Sequence, residues 1–216
     1  MNISQIRLYA ITDSAYTHIP LEEQVEAAIR GGADMIQLRE KNITDEEYAE
    51  KAKKLLAITR KYGVPLIIND SVKVAAMSGA DGVHLGQSDG SPLEARKQLG
   101  KHAIIGVTAK STVQADMAQR EGADYIGSGA MFVSPTKPQA AAITLETLTD
   151  ICRVTEIPVF AIGGINKDNC MTLKGTGISG IAAVSSVFGG KTPEDITYNA
   201  AMMKAAAEET VGGEEN

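Results

Sequence analysis

The feature that most constrains this chain is a rhythm. Short apolar segments, each bounded by glycine, proline or polar residues, alternate with helical patterns along almost its whole length. The strand candidates are "RLYAITD", "MIQLREK", "PLIIND", "GVHLGQ", "HAIIGVTA", "YIGSGAMF", "PVFAIGGI" and "GIAAVSSVF". The helical patterns are "PLEEQVEAAIRGG", "TDEEYAEKAKKLLAITRKYG", "SVKVAAMSG", "SPLEARKQLG", "STVQADMAQREG", "TLETLTDICRVTE", "NKDNCMTLKGTG" and "TPEDITYNAAMMKAAAEET". Several open on a capping Ser or Thr or an early Pro, and several close on Gly. A weak repeat, "GGADMIQL", "SGADGVHL" and "EGADYIGS", puts a helix-ending glycine and then Ala-Asp before a strand. Parallel strands and helices in such alternation over 216 residues close most economically as a (β/α)8 barrel of the α/β class. One domain is expected over residues 1–209, with a disordered tail at 210–216. The rival, an open doubly wound sheet, lacks its fingerprint, because "LYAITDSA" has no glycine-rich turn after the first strand.

Charge and composition remove whole classes of function. A formal net charge of −6 argues against a nucleic-acid binder, although a local cluster of cations still suits a small anion. "MNISQIRLYAITDS" has no basic region followed by a long apolar run, and no stretch of about 18 apolar residues occurs. No membrane partner and a cytoplasmic location are therefore expected. Cys152 and Cys170 have neither CxxC spacing nor a histidine close in sequence and read as packing residues.

In a barrel of this kind chemistry belongs at the C-terminal ends of the strands. Alternation in "MIQLREK" puts Gln37, Arg39 and Lys41 on one face and Leu38 and Glu40 on the other, so an apolar strand ends in three donors in phase. The other strand ends offer Thr12-Asp13, Asn69-Asp70, Gly86-Gln87 leading to Asp89, and Thr108. Strand six leads into Ser134, Thr136 and Lys137, strand seven into Gly163-Gly164, and strand eight into Ser185-Ser186.

Two acids beside three cations suggest a metal with phosphate. Asp70 and Asp89 suit magnesium, which takes one or two carboxylates and completes its shell with water and phosphate oxygens. Arg39 can grip a phosphate through two hydrogen bonds, and Lys41 and Lys137 add charge. An isolated Asp after a strand is also a common helix cap. Gly163-Gly164 and Ser185 occupy the usual barrel phosphate site, while glycines there serve a tight turn equally well. Two phosphorylated ligands are thus expected, one with metal and cations and one at the glycine rim. His18 and His102 read as surface or loop residues and His84 as a packing residue, and no Ser/His/Asp or Cys/His arrangement emerges.

The ordered set "LYAITD", "QLREK", "IIND", "DGVHLGQSD", "IIGVTA", "SPTKP", "AIGGI" and "AAVSS" resembles the thiamine-phosphate synthase family over nearly the whole chain. The resemblance implies a transferase of thiamine biosynthesis. It would join 4-amino-5-hydroxymethyl-2-methylpyrimidine diphosphate to hydroxyethylthiazole phosphate, releasing pyrophosphate. It implies that Gln37, Arg39, Lys41, Asn69, Thr108 and Lys137 contact the pyrimidine diphosphate, with Arg39, Lys41 and Lys137 stabilising the departing charge. It further implies magnesium on Asp70 and Asp89, and Ser134, Thr136, Gly164, Val184 and Ser185 on the thiazole phosphate. Thr108 stands where the family usually has Ser, Ser134 where it has Thr, and Ala130 where a Gly-Pro turn has Pro. Two alternatives stay open at this point: a thiazole tautomerase on the same barrel, which would need neither Asn69-Asp70, Asp89 nor Thr136-Lys137, and a non-catalytic sensor of phosphorylated ligands. The oligomeric state is open, and a homo-oligomer is compatible with the sequence.

Overall fold

The computed structural model describes residues 2–133 and 142–212. Eight parallel strands pair in chain order and close on themselves, β1 on β8. They are β1 (Leu8–Ile11), β2 (Met35–Leu38), β3 (Leu66–Asn69), β4 (Gly82–Leu85), β5 (Ile104–Thr108), β6 (Tyr125–Gly129), β7 (Val159–Ile162) and β8 (Gly180–Ala183). The helices outside are α1 (Leu21–Arg30), α2 (Asp45–Tyr62), α3 (Val72–Ser78), α4 (Pro92–Leu99), α5 (Thr112–Arg120), α6 (Leu145–Val154), the short α7 (Ser185–Phe188) and α8 (Pro193–Val211). This is the expected (β/α)8 barrel.

Strand alternation sorts the core into two layers. Leu8, Ala10, Ile36 and Leu38 point outward into the layer shared with the helices. Tyr9, Ile11, Met35, Ile67, Tyr125 and Phe160 fill the barrel itself. The same alternation turns Gln37 inward and sends Glu40 outward, where it pairs with Lys51 of α2 at 2.8 Å.

The weak repeat has a structural cause. In each copy a glycine with positive φ ends a helix, and the aspartate that follows caps the start of the preceding odd-numbered strand. Asp34 Oδ2 accepts from the backbone N–H groups of Arg7 and Leu8 at 2.8 and 3.0 Å. Asp81 does the same for Leu66 at 2.8 Å, and Asp124 for Ile105 at 2.7 Å. Cations hold two of these acids in place: Lys204 lies 2.6 Å from Asp34 and Arg96 2.8 Å from Asp124. Before β8 the turn recurs as Gly177-Ile178-Ser179, and the Ser179 N–H bonds Val159 O at 2.8 Å much as the Asp34 N–H bonds Leu8 O at 2.9 Å. A serine in the acid's place hid this fourth copy from the sequence.

Three expectations are corrected. "NKDNCMTLKGTG" forms only a 3-10 turn at Cys170–Leu173: the Asn166 side chain caps the N–H groups of Asp168 and Asn169, but the backbone leaves helical geometry at Lys174, ψ 136°, and at Gly175, φ 81°, before a longer helix can form. Strand eight stops at Ala183, and the "SSVF" assigned to it is α7. Helix α8 runs to Val211 with Thr210 buried, so 210 and 211 belong to the barrel domain and not to a tail, while residues 213–216 lie outside the described residues.

Candidate active site

A cavity of about 160 Å³ opens at the C-terminal end of the barrel, and every strand or its following loop contributes to its wall. Tyr9 and Ile11 enter from β1, Gln37 and Arg39 from β2 and just beyond it, Asn69 from β3, His84 from β4 and Thr108 from β5. Gly127, Gly129 and Ala130 come from β6 and its end, Gly163 and Gly164 from the turn after β7, and Val184 and Ser185 from the end of β8.

One wall is cationic. Arg39 donates from Nη1 to Asp13 Oδ2 at 2.9 Å, and its backbone N–H bonds Thr12 Oγ1 at 3.1 Å, so β1 fixes both ends of the residue. Its Nε is buried without a hydrogen-bond partner among the described residues. A buried guanidinium N–H left unmade is costly, and an anionic acceptor in the cavity would satisfy it. Lys110, two residues beyond Thr108 and in phase with it, lines the same cavity. Lys41, half-exposed and outside the cavity lining, lies 2.6 Å from Asp70. Asp70 holds a left-handed backbone, φ 66°, which Asp tolerates better than bulkier residues, and its N–H bonds His84 O at 2.8 Å. Asp89 Oδ2 accepts from the Gly86 N–H at 2.8 Å. Asp89 therefore closes its own turn through Oδ2, while its Oδ1 accepts from the hydroxyl of the exposed Ser88 at 3.3 Å.

The floor is polar and aromatic at once. Tyr9, Tyr125 and Phe160 meet edge to face with centroids 5.4–5.9 Å apart. The two tyrosine hydroxyls form a chain with the neighbours: Gln37 Nε2 to Tyr9 Oη at 2.5 Å, Tyr9 Oη to Tyr125 Oη at 2.8 Å, Tyr125 Oη to His84 Nδ1 at 3.1 Å, and His84 Nε2 to Thr108 Oγ1 at 2.9 Å. Gly106 makes room for this arrangement, since a Cβ there would overlap the Tyr125 ring. Burial holds the phenols of Tyr9 and Tyr125 well above the ordinary tyrosine value.

The opposite wall is backbone. Gly164 has φ 65°, and a Cβ on it would lie 2.6 Å from Val133 O and 2.9 Å from the Phe132 carbonyl carbon. The residue must be glycine for the β7 turn to lie against the loop after β6, whether or not a phosphate is bound.

Of the sequence candidates, Gln37, Arg39, Asn69, Thr108, Gly164, Val184 and Ser185 meet at this cavity. Lys41 and Asp70 pair with each other just beyond the lining residues Arg39 and Asn69, and Asp89 in the turn after β4 is likewise outside the lining. Ser134, Thr136 and Lys137 lie outside the described residues. Sequence reasoning passed over Tyr9, Lys110 and Tyr125, named Asp13 only as a strand-end acid, and read His84 as packing. The signal was available only for Lys110, through its two-residue spacing from Thr108. The others acquire their meaning when β1 meets β2 and β4 faces β6 across the closed barrel.

The profile of a family described as thiamine monophosphate synthase matches residues 8–187, which is most of the barrel. The chain belongs to that family. It is 49% identical over 185 residues to the thiamine-phosphate synthase of Ruminiclostridium cellulolyticum, covering 85% of this chain and 88% of that one. The thiamine-phosphate synthase of Clostridium tetani is 43% identical over 206 residues, with 95% and 94% covered. Among solved structures, thiamine phosphate pyrophosphorylase from Pyrococcus furiosus superposes with a TM-score of 0.85 at 38% identity, over 97% of this chain and 98% of that one. Members of the thiamine monophosphate synthase family are transferases, and this barrel is an enzyme of that class.

Proposed function

We propose that the chain condenses 4-amino-5-hydroxymethyl-2-methylpyrimidine diphosphate with hydroxyethylthiazole phosphate, giving thiamine phosphate and pyrophosphate. The observation that carries this reading is Arg39 Nε, a buried donor at the cavity with no partner among the described residues. A diphosphate oxygen supplies the acceptor it lacks. Asp13 holds the far side of the guanidinium, so the planar fork is oriented before substrate arrives.

In this reading the pyrimidine diphosphate is bound by Gln37, Arg39, Lys41, Asn69, Thr108 and Lys137. Breaking its carbon–oxygen bond leaves charge on the departing pyrophosphate, and Arg39, Lys41 and Lys137 stabilise that charge most as it develops. The thiazole phosphate is held by Gly164, Val184 and Ser185 together with Ser134 and Thr136, and its ring nitrogen captures the pyrimidine cation. No protein base is required for that attack, which agrees with a site whose one histidine is engaged at both ring nitrogens by hydroxyls.

Asp70 and Asp89 follow the neighbouring strands β3 and β4, and their hard oxygen donors suit magnesium. Among the described residues no group of three or more His, Cys, Asp or Glu comes together, so water and phosphate oxygens would have to complete the shell of an ion held by these two acids. When bound, magnesium would neutralise charge on the diphosphate oxygens. Among the described residues no helix is long and apolar enough to cross a membrane. The proposed substrates are small molecules, and the proposed place of work is the cytoplasm.

The test is direct. Purified protein, both substrates and magnesium should yield thiamine phosphate and pyrophosphate in equal amounts. Absence of product at high enzyme concentration would overturn the proposal.

A further inference from the structure

The hydrogen-bond chain in the barrel floor has a direction, and the direction follows from counting hydrogens. Gln37 Nε2 is a donor, so the Tyr9 oxygen accepts from it. A phenol carries one hydrogen, and burial keeps both tyrosines protonated. The Tyr9 hydrogen therefore goes to Tyr125 Oη, 2.8 Å away. The reverse order would leave it without an acceptor among its described partners, in a side chain that is only 2% exposed. Tyr125 passes its own hydrogen to His84 Nδ1 at 3.1 Å. A neutral imidazole that accepts at Nδ1 carries its hydrogen on Nε2, and Nε2 faces Thr108 Oγ1 at 2.9 Å. Thr108 then accepts from the ring, and its own hydroxyl hydrogen is available to the cavity that it lines.

We propose that Tyr9 and Tyr125 are positioning residues that carry the donor sense of the Gln37 amide to His84, fix the imidazole as its Nε2–H tautomer, and make Thr108 a hydrogen-bond donor to the substrate. The proposal rests on the cavity being the substrate site. The substrate group lying over Thr108 must accordingly be an acceptor, and a ligand presenting a donor there is rejected because two hydrogens would face each other. Tyr125 is fully buried and absent from the cavity lining, so it acts only through His84.

The tautomer is measurable in the full chain without substrate, by correlating the nitrogen and carbon-bound hydrogen resonances of the His84 ring at alkaline pH. Wild type should show a protonated Nε2 and a bare Nδ1. Gln37→Glu places an ionised acceptor where a donor stood, so Tyr9 donates to it, each link reverses, and His84 should switch to Nδ1–H. Adding Tyr9→Phe to Gln37→Glu cuts the relay and should restore Nε2–H. A wild-type ring protonated at Nδ1, or a Gln37→Glu ring still protonated at Nε2, overturns the proposal. Should Gln37→Glu fail to fold, Tyr125→Phe decides. Removing its hydroxyl should shift the Nδ1 resonance toward that of a nitrogen without a donor and lower kcat about tenfold, with KM for the thiazole phosphate unchanged. An unmoved Nδ1 resonance in that variant overturns the proposal equally. Because the tautomer is read without substrate, its failure is separate from failure of the synthase reaction, which the product assay decides.

Discussion

The two ends of this barrel carry the same residue types and treat them in opposite ways. At the N-terminal end Asp34, Asp81 and Asp124 accept from strand N–H groups, and Asp34 and Asp124 also hold Lys204 and Arg96. At the C-terminal end Arg39 keeps a buried Nε without a partner among the described residues, and Asp70 stands in a left-handed backbone. One end closes its polar groups on the protein itself. The other does so only in part: Asp13 and Lys41 hold Arg39 and Asp70, but the Arg39 Nε is left for a ligand to complete. The difference is local stability traded for binding, within a single sheet whose strands supply both ends.

The comparison is most sharply tested by one substitution made at each end. Asp89→Asn keeps size and removes charge; if the acid helps hold magnesium, several kcal/mol of transition-state stabilisation disappear. Turnover should fall more than a hundredfold, on the order of 3 kcal/mol, with the thermal midpoint nearly unchanged. Asp34→Asn weakens the pair with Lys204 and a strand cap, at about 2 kcal/mol, so Tm should fall by roughly 4–8 °C while kcat below the transition is preserved. Steady-state kinetics and calorimetry on both variants check this. A Tm loss in Asp89→Asn with normal turnover would make that residue a turn cap like its N-terminal counterparts.

Arg39→Lys asks whether the orphaned donor matters. Lysine keeps the charge and the pull toward Asp13 but lacks the planar fork. If a diphosphate takes two hydrogen bonds from that fork, kcat/KM for it should drop by about 1–3 kcal/mol, roughly tenfold to a hundredfold. Unchanged kinetics would mean that Arg39 is held for structure by Asp13 alone.

How far these contrasts were legible in the sequence depends on distance along the chain. Strand and helix periods are local, so the barrel and most of its elements were readable, as was the inward phase of Gln37 and Arg39. The "GAD" repeat was visible but not its purpose, because the N–H groups that it caps lie on the preceding strand, as many as 27 residues away. The floor chain was not readable at all. Tyr9 and Tyr125 are 116 residues apart, and each alone looks like an apolar core residue. His84 was read as packing for the same reason, and only closure of the sheet turns it into the link between Tyr125 and Thr108. Asp13 hid similarly, as an ordinary strand-end acid until β1 lay beside β2 and brought it to Arg39.

Glu40→Gln should have a smaller effect, and on stability alone. Glu40 is nearly buried, points away from the cavity and meets the half-exposed Lys51 of α2. Glutamine retains the shape and the hydrogen bond but loses the charge, a change of about 1 kcal/mol or less. A Tm shift of roughly 2–4 °C at most, with kcat/KM unaltered, is expected. A large kinetic defect here would show that the outer face of β2 is coupled to the cavity.

The smallest effect concerns pH, and it divides the two ends once more. Helix N-termini follow strand C-termini, so the capping boxes of α2 and α8 lie on the catalytic side of the barrel. Hydrogen bonds from the backbone of Thr44 lower Glu47 from 4.5, and those from Lys191 and Thr192 lower Asp195 from 3.8. On the other side Tyr62 and Lys61 lower Glu26 from 4.5. A carboxyl whose folded value lies below its unfolded one adds stability that is present above the unfolded value and fades as pH falls through the folded one. All three contributions are therefore intact at neutral pH and vanish in acid, below the ordinary carboxylate range. Glu47→Gln, Asp195→Asn and Glu26→Gln should each melt slightly below wild type at neutral pH, and the gap should close as pH is lowered. Local hydrogen exchange distinguishes the ends: Glu47→Gln should loosen the first turn of α2, beside the cavity, whereas Glu26→Gln should loosen only the contact between α1 and the end of α2. A Glu47→Gln gap that persisted undiminished in acid would mean that the cap works through shape rather than charge.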